Sequence, residues 1–224
     1  MSVEIDFAAQ EAVRRTMVDC QVRPSDVTDP ALVDAMLWAP REAFAPKSKR
    51  AQAYMGEHLE IAPGRFELDP RTFAKLADLA EPGPEDLALV VGAGMGYAAA
   101  VLSRLVAAVI ALEEDPALVA SMRATLEALE VPNVIVVEGP LAEGCAAHAP
   151  YNLVFVNGGS ATSAPDGLVS QLADGGRLTQ VRMRDAVGRG EICRKSGGAL
   201  GARSAFDAAA PILPGFEAVR EFEF

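Results

Sequence analysis

Cysteine, histidine and tryptophan are scarce in this 224-residue sequence, which has 3, 2 and 1 of them respectively. Three scattered cysteines cannot build the disulfide framework of a small secreted domain. The two histidines, His58 and His148, stand far apart and have no cysteine at metal-ligand spacing, so the sequence predicts no metal site. These absences favour a protein of a reducing compartment that is held together by an ordinary hydrophobic core.

Basic residues are also in the minority, since 20 Lys and Arg face 31 Asp and Glu, giving a net charge of -11. Such a balance argues against a protein that neutralises many phosphates or docks on an anionic membrane, so we expect neither nucleic acid nor membrane as a partner. The segment Met1 to Asp6 has no basic cluster before an apolar run and does not look like a secretory signal. We therefore expect a cytoplasmic protein. Nothing in the sequence indicates its oligomeric state.

One apolar stretch needs an explanation. From Leu87 to Leu112 the only charged residue is Arg104, and by hydropathy alone this stretch could span a membrane. Three glycines crowd into its middle, however, and the apolar residues divide into two β-like runs around an alanine-rich run. A central parallel strand is covered on both faces and is therefore continuously apolar. This composition predicts a buried strand, a turn, a helix and a second strand.

Helices are predicted to begin at three Asp-Pro pairs: Asp29-Pro30, Asp69-Pro70 and Asp115-Pro116. An aspartate can accept hydrogen bonds from the amides of the first turn, and proline at the first helical position loses no donor that the helix needs. Apolar residues follow each pair at helical spacing. We expect core-packing helices there.

From Leu87 onward, β-like runs alternate with helical ones. This alternation predicts a parallel sheet with helices on both faces. After Val181 the pattern changes to a hairpin that turns at Gly197-Gly198, and Phe216–Phe224 is predicted to form the last strand. The predicted fold is therefore a doubly wound, Rossmann-like α/β sheet, mostly parallel, with an antiparallel C-terminal hairpin. We divide the chain into an N-terminal helical cap (1–70) and a Rossmann-like domain (71–224).

A glycine-rich turn follows the first strand of this domain. The segment Gly92-Ala93-Gly94-Met95-Gly96 leaves a predicted strand and opens a predicted helix, where glycines let the backbone turn sharply and approach a ligand. Glu113 ends the next strand, at the place where a carboxylate can accept hydrogen bonds from ribose hydroxyls. The alternative is that the glycines serve tight packing and that Glu113 is solvated beside Glu114.

The glycine spacing distinguishes two cofactors. In the dinucleotide fingerprint the third glycine comes three positions after the second, which here is Tyr97. The third glycine instead stands two positions on, at Gly96, as in methyltransferases that use S-adenosylmethionine. The turn therefore predicts S-adenosylmethionine as the cofactor, and a nicotinamide oxidoreductase is the less favoured reading.

Four stretches resemble a known family: Met17-Val18 to Gln21-Val22 with Asp29 and Ala35-Met36; Pro40-Arg41-Glu42-Ala43-Phe44-Ala45-Pro46; Gly92 to Leu102; and Gln171-Leu172 with Gly175-Gly176-Arg177-Leu178. In these stretches the chain resembles the protein-L-isoaspartate O-methyltransferases. The resemblance implies a seven-stranded methyltransferase fold that holds S-adenosylmethionine. It also implies transfer of a methyl group to the carboxylate of isoaspartyl residues in damaged proteins, so the expected partner is such a protein or peptide.

The resemblance extends the predicted site beyond the turn and Glu113–Glu114. It implies that the segment Gly139-Pro140-Leu141 lies along the adenine and that the loop Gly64 to Leu68 closes over the methyl acceptor. It also places His58 near the substrate cleft. Asn157 follows a strand at the carboxyl edge of the sheet, where open parallel sheets bind ligands, and is a further substrate-facing candidate.

Three positions depart from the family pattern. Val90 stands where the family has an acidic residue before the first glycine, Pro140 replaces the aspartate that faces the adenine, and Leu68 replaces a hydroxyl residue beside the reacting carboxylate. These departures leave three possibilities: a weak isoaspartyl enzyme, a methyltransferase with another acceptor, or a non-catalytic descendant that acts through a protein surface. The sequence identifies no catalytic acid or base.

Overall fold

The computed structural model describes residues 7–162, 164–184 and 187–218. The helices and strands of these residues are α1 (Phe7–Met17), α2 (Pro30–Trp38), β1 (Leu59–Ala62), β2 (Arg65–Glu67), α3 (Pro70–Leu79), β3 (Leu87–Val91), α4 (Tyr97–Leu102), β4 (Ala108–Glu113), α5 (Pro116–Ala128), β5 (Val134–Glu138), β6 (Tyr151–Ser160), α6 (Asp166–Ser170), β7 (Leu172–Arg184), β8 (Val187–Ser196) and β9 (Ala199–Asp207). Short π- or 3₁₀-helical segments lie at Val18–Val22, Arg23–Ser25, Arg41–Phe44, Lys47–Gln52, Leu141–Glu143 and Ala146–His148.

A seven-stranded sheet forms the centre of the molecule, in the order β5-β4-β3-β6-β7-β8-β9. The first five strands in this order, from β5 to β7, run parallel to one another, whereas β8 is antiparallel to both β7 and β9. The β8–β9 hairpin turns at Gly197-Gly198, as predicted. The predicted fold class is thus confirmed.

The Asp-Pro pairs start helices for the expected reason. Asp29 accepts hydrogen bonds from the amides of Ala31 and Leu32, and Asp115 accepts them from Ala117 and Leu118. Asp69 caps α3 by accepting from a first-turn amide at 2.9 Å. In each helix an orphan amide of the first turn is satisfied by the side chain that precedes it.

The core has two layers because successive side chains of a strand point to opposite faces. In β3, Ala88 and Val90 lie in the layer that also contains buried residues of α1, α2 and α3, while Leu89 and Val91 lie in the other layer. The helices that precede residue 70 therefore share a core with the sheet. The boundary at residue 70 stays a prediction.

The region predicted as a helical cap contains a β-hairpin as well as helices. Strands β1 and β2 pair antiparallel around a turn at Gly64, whose φ is 71°. Strands of four and three residues are too short to show a clear alternation of apolar and polar residues. The sequence of this region therefore predicted helices only.

The apolar stretch from Leu87 to Leu112 divides into β3, the glycine turn, α4 and β4, as predicted. Among the described residues, no helix is both long and apolar enough to cross a membrane. In the predicted last strand, residues 216–218 are not strand, and the rest of that segment lies outside the described residues.

Strand β9 forms one edge of the sheet. Eight of its nine residues are exposed, and within the described residues it has a hydrogen-bonded neighbour on one side only.

The register of β3 with β4 and β6 places Val91 opposite Leu112 on one side and Val156 on the other. The turn after β3 therefore lies between the carboxyl ends of its two neighbours.

Candidate functional site

The turn after β3 has the backbone geometry that its glycines predict. Gly92, Gly94 and Gly96 have φ values of 71°, 58° and 104°, a region that side chains other than glycine rarely adopt. The amides of Gly92 and Ala93 both donate to the carbonyl of Leu112 at 3.0 Å, which fixes the turn against the end of β4. Bare backbone thus lies at the carboxyl edge of the parallel sheet.

Gly96 has a packing role. A Cβ added there would lie 2.8 Å from Cγ of Met122 on α5, so the absence of a side chain lets α4 start close to α5. Part of the glycine pattern is therefore explained by the packing that was the alternative to ligand binding.

Glu113, at the end of β4, is fully buried and its carboxylate is saturated with hydrogen bonds. Its Oε1 accepts from the amides of Glu114 at 2.9 Å and Asp115 at 3.1 Å, and its Oε2 accepts from the amide of Gly94 at 2.8 Å. Arg65 adds two bonds, from Nη1 to Oε1 at 2.5 Å and from Nη2 to Oε2 at 2.7 Å. A carboxylate has about four lone-pair positions, so this one is fully engaged.

The Arg65–Glu113 ion pair is bidentate and buried, with 7% of the arginine side chain and none of the glutamate side chain exposed. Two parallel N–H···O bonds are the strongest form of such a pair. Arg65 lies 48 positions before Glu113, on the β1–β2 hairpin. Arg65 belongs to the loop Gly64 to Leu68 that was predicted to close over the methyl acceptor, but its pairing with Glu113 was not predicted.

The space in front of the turn is filled by two apolar side chains. A Cβ added at Gly94 would lie 2.6 Å from Cδ1 of Ile61 in β1, and one added at Gly92 would lie 2.8 Å from Cδ1 of Leu213. Both side chains are buried, at 7% and 4% exposure. The backbone of the turn is therefore covered by the protein itself.

Glu67, at the end of the hairpin, is a second buried acid beside the turn. Its Oε1 accepts a long bond of 3.5 Å from Nδ2 of Asn157, and its Oε2 lies 3.8 Å from the Cβ position of Gly94. Burial raises the pKa of this carboxyl to about 7, although Arg41, Asn157 and Arg65 oppose the rise. At neutral pH this carboxyl therefore carries a proton for much of the time.

Several buried polar atoms around Glu67 have no hydrogen-bond partner among the described residues. They are Arg41 Nη1, Arg65 Nε, Glu67 Oε2, Tyr97 OH and Asn157 Oδ1. The guanidinium of Arg41 lies 4.6 Å from the centre of the Tyr97 ring, and burial raises the pKa of Tyr97 to about 12. Unpaired buried groups cost free energy, so this cluster is suited to receive water or a polar ligand group.

The other residues predicted to hold the cofactor lie near the same edge. The amide of Gly139 donates to the carbonyl of Glu113 at 3.1 Å, which places the segment Gly139–Leu141 at the end of β5 beside β4. Pro140 is exposed, whereas Leu141 is buried in the core. Glu114 is half-buried, next to the saturated carboxylate. Their contacts with a cofactor stay predictions.

The three substrate-side candidates are placed as follows. Asn157 is buried and donates to the carbonyl of Gly92 at 3.3 Å, so it joins β6 to the turn. Leu68 is buried, and its carbonyl accepts from Arg41. His58 accepts from the amide of Asp69 at 3.0 Å through Nδ1, and its Nε2 lies 2.9 Å from the carbonyl of Ala209. The turn is thus close to Asn157, while His58 connects the hairpin to the segment after β9.

No group of three or more His, Cys, Asp and Glu side chains within the described residues could hold a metal ion.

A mostly parallel sheet of this order, with a glycine turn after β3 and an acid at the end of β4, defines a Rossmann-like α/β fold. The family model for protein-L-isoaspartate(D-aspartate) O-methyltransferase (PCMT) matches residues 14–184, more than half of the chain. The chain belongs to this family, as the resemblance implied.

Relatives of the family support the same assignment. The chain is 39% identical over 165 residues to a protein-L-isoaspartate O-methyltransferase of Methanoregula boonei, covering 74% of this chain and 76% of that protein. The same identity over 165 residues holds for a protein-L-isoaspartate O-methyltransferase of Roseiflexus castenholzii, covering 74% and 75%.

Solved structures show the same fold. A protein-L-isoaspartate O-methyltransferase structure matches with a TM-score of 0.77 at 22% identity, covering 92% of this chain and 66% of that one. A Plasmodium falciparum protein described as a beta-aspartate methyltransferase (PCMT), in complex with S-adenosyl-L-homocysteine, matches with a TM-score of 0.73 at 18% identity, covering 91% and 97%. The predicted N-terminal helices and antiparallel C-terminal strands are thus both part of the family fold.

S-adenosylmethionine is the cofactor that this family uses, as the turn predicted. In the conformation described, however, the residues present do not fit it. The glycines keep the backbone bare, but Ile61 and Leu213 cover that backbone, and Arg65 holds both carboxylate oxygens of Glu113. The turn therefore keeps the backbone shape that its glycines predict, but side chains of the same chain cover it.

Proposed function

We propose that this protein is an S-adenosylmethionine-dependent methyltransferase that methylates the carboxylate of isoaspartyl residues in proteins. The observation that carries the proposal is the match to named protein-L-isoaspartate O-methyltransferases over about three quarters of both chains, with 39% identity and the glycine turn included. The alternative, a descendant that acts only through a protein surface, has no support from these relatives.

The proposed reaction needs little acid–base chemistry. S-adenosylmethionine supplies an electrophilic methyl group, and the accepting carboxylate is already ionised at neutral pH. The protein therefore contributes by placing the acceptor oxygen and by excluding water. The buried cluster of Arg41, Glu67, Tyr97 and Asn157 offers donors for this task, since Arg41 and Tyr97 each have an unpaired buried donor atom.

The biological role and the location of the protein are proposed from the chemistry of the reaction and from the state of the cysteines. Methylation of an isoaspartyl carboxylate marks a damaged backbone site, so we propose a role in protein repair with damaged proteins or peptides as partners. All three cysteines are unpaired, including the buried Cys145 and Cys193, which supports a reducing compartment and hence the cytoplasm.

Transfer of a labelled methyl group to an isoaspartyl peptide, measured beside its normal aspartyl twin, tests the proposed function. We expect label on the isoaspartyl peptide only. Gly94→Val should abolish methyl transfer, because the valine side chain would fill the space directly in front of the turn, where the cofactor is expected to bind. Gly201→Val in β9 is the matched control, since a Cβ there meets nothing within 4 Å. Thermal melts of both variants separate loss of the site from loss of the fold. Equal label on the two peptides would refute the assignment.

A further inference from the structure

The β1–β2 hairpin (Leu59–Glu67) inserts side chains into the space before the glycine turn. Ile61 covers Gly94, Arg65 binds Glu113, and Glu67 reaches Asn157. These three side chains extend from one small hairpin to two parts of the predicted cofactor site and to a residue predicted to face the substrate. One hairpin thus fills the space in which a ligand would contact the turn.

The Arg65–Glu113 pair competes directly with ligand. Both oxygens of Glu113 are occupied by the guanidinium and by backbone amides. A hydroxyl group of a bound nucleoside could donate a hydrogen bond to this carboxylate only after the Arg65 bonds break. The bidentate geometry and the burial make that exchange costly.

A second segment closes the other side of the turn. Cδ1 and Cδ2 of Leu213 would lie 2.8 Å and 3.0 Å from a Cβ added at Gly92, and Cγ would lie 2.6 Å from one added at Gly158. The amide of Leu213 donates to the carbonyl of Gly159 at 2.9 Å, which holds this segment along β6. His58 joins the two closing segments, since its Nε2 lies 2.9 Å from the carbonyl of Ala209.

The β1–β2 hairpin is not part of the main sheet. It forms a two-stranded sheet separate from the seven-stranded one, with strands of four and three residues. A two-stranded hairpin has marginal stability by itself, so its position depends on the side chains that it inserts. Removing one of those side chains should therefore weaken the closed state without disturbing the main sheet.

We propose that the β1–β2 hairpin is a self-inhibitory plug of the cofactor cleft. Arg65 stays bound to Glu113 until S-adenosylmethionine binds and displaces the hairpin. The inference rests on the proposed function. The apparent affinity for the cofactor is then the intrinsic affinity multiplied by the fraction of molecules in which the hairpin has withdrawn. Variants that weaken the plug bind cofactor more tightly than the unaltered protein.

Calorimetric titration with S-adenosylhomocysteine measures this effect in the unaltered protein, Arg65→Ala and Ile61→Ala. We expect each variant to bind about tenfold more tightly or better. Arg194→Ala is the matched control, because Arg194 forms an exposed ion pair with Glu81 at 2.9 Å, and it should leave the affinity unchanged. Ile61→Ala keeps the Arg65–Glu113 pair and so covers the case in which Arg65→Ala does not fold. Hydrogen exchange of the hairpin amides should also rise when ligand is added to the unaltered protein.

The outcomes separate the plug from the proposed function. Equal measurable affinity in the unaltered protein and both plug variants overturns the plug and leaves the methyltransferase assignment standing. Tighter binding in the variants without label on an isoaspartyl peptide supports the plug and refutes that substrate. Absence of binding in every variant overturns both, since the hairpin would then be a permanent filling of the cleft.

Discussion

Replacement of Glu67 by glutamine should make the protein more stable at alkaline pH and leave it unchanged at acid pH. The side chain is 1% exposed, and burial raises the pKa of its carboxyl from 4.5 to about 7. A folded-state pKa above the unfolded value means that the folded state holds the proton more tightly. The stability that this proton contributes is complete below about pH 4.5 and is lost as the pH rises through about 7.

The size of the effect follows from the same two values. The difference between 4.5 and about 7 corresponds to about 3 kcal/mol of unfolding free energy. Glutamine has the shape of the protonated acid and does not ionise, so Glu67→Gln avoids this loss. Relative to the unaltered protein, its advantage should grow by about 2.5 kcal/mol between about pH 5 and about pH 8.

Urea denaturation of both proteins across this pH range measures the advantage. Glu127→Gln on α5 is the control for removal of one negative charge, because Glu127 is exposed and should show a constant difference. Parallel stability curves for Glu67→Gln and the unaltered protein would show that Glu67 is solvated or ionised in the folded state. The reasoning from burial would then be wrong.

Three further predictions concern the stability of the frame around the site. Asp69→Ala removes the cap of α3 and should cost about 1 kcal/mol, seen as a lower Tm in a thermal melt. Arg177→Met removes the buried partner of the half-buried Asp86 and should cost about 3–5 kcal/mol in urea, whereas Arg194→Met, which breaks an exposed pair, should cost about 1 kcal/mol or less. Phe73→Ala leaves a cavity between two aromatic rings and should cost about 3–5 kcal/mol by the same assay, with an unchanged fold by circular dichroism.

The parts of this fold that the sequence predicted are those with local causes. An aspartate before a proline supplies a cap to the amides next to it, and a strand buried on both faces is apolar without interruption. The turn at Gly94 was predictable for the same reason, since glycine permits its φ of 58°. Each of these features depends on neighbours within a few positions of the chain.

The closing of the cleft depends on residues that are distant in sequence. Arg65 meets Glu113 across 48 positions, and Leu213 reaches Gly92 from the far end of the chain. An arginine after a glycine is typical of an ordinary exposed turn, and this local pattern does not indicate which residue the arginine will bind. Glu113 therefore lies at the end of a strand, as its local pattern predicts, whereas its pairing with Arg65 could not be predicted.

The exposed outer strand β9 bears on how copies of this protein behave towards one another. A strand with a row of main-chain amides and carbonyls facing outward can template the addition of another polypeptide. Arg203, near its middle, and an overall charge of -11 both oppose such stacking between identical molecules. High salt, which screens that repulsion, should therefore favour self-association along this rim more than dilute buffer does.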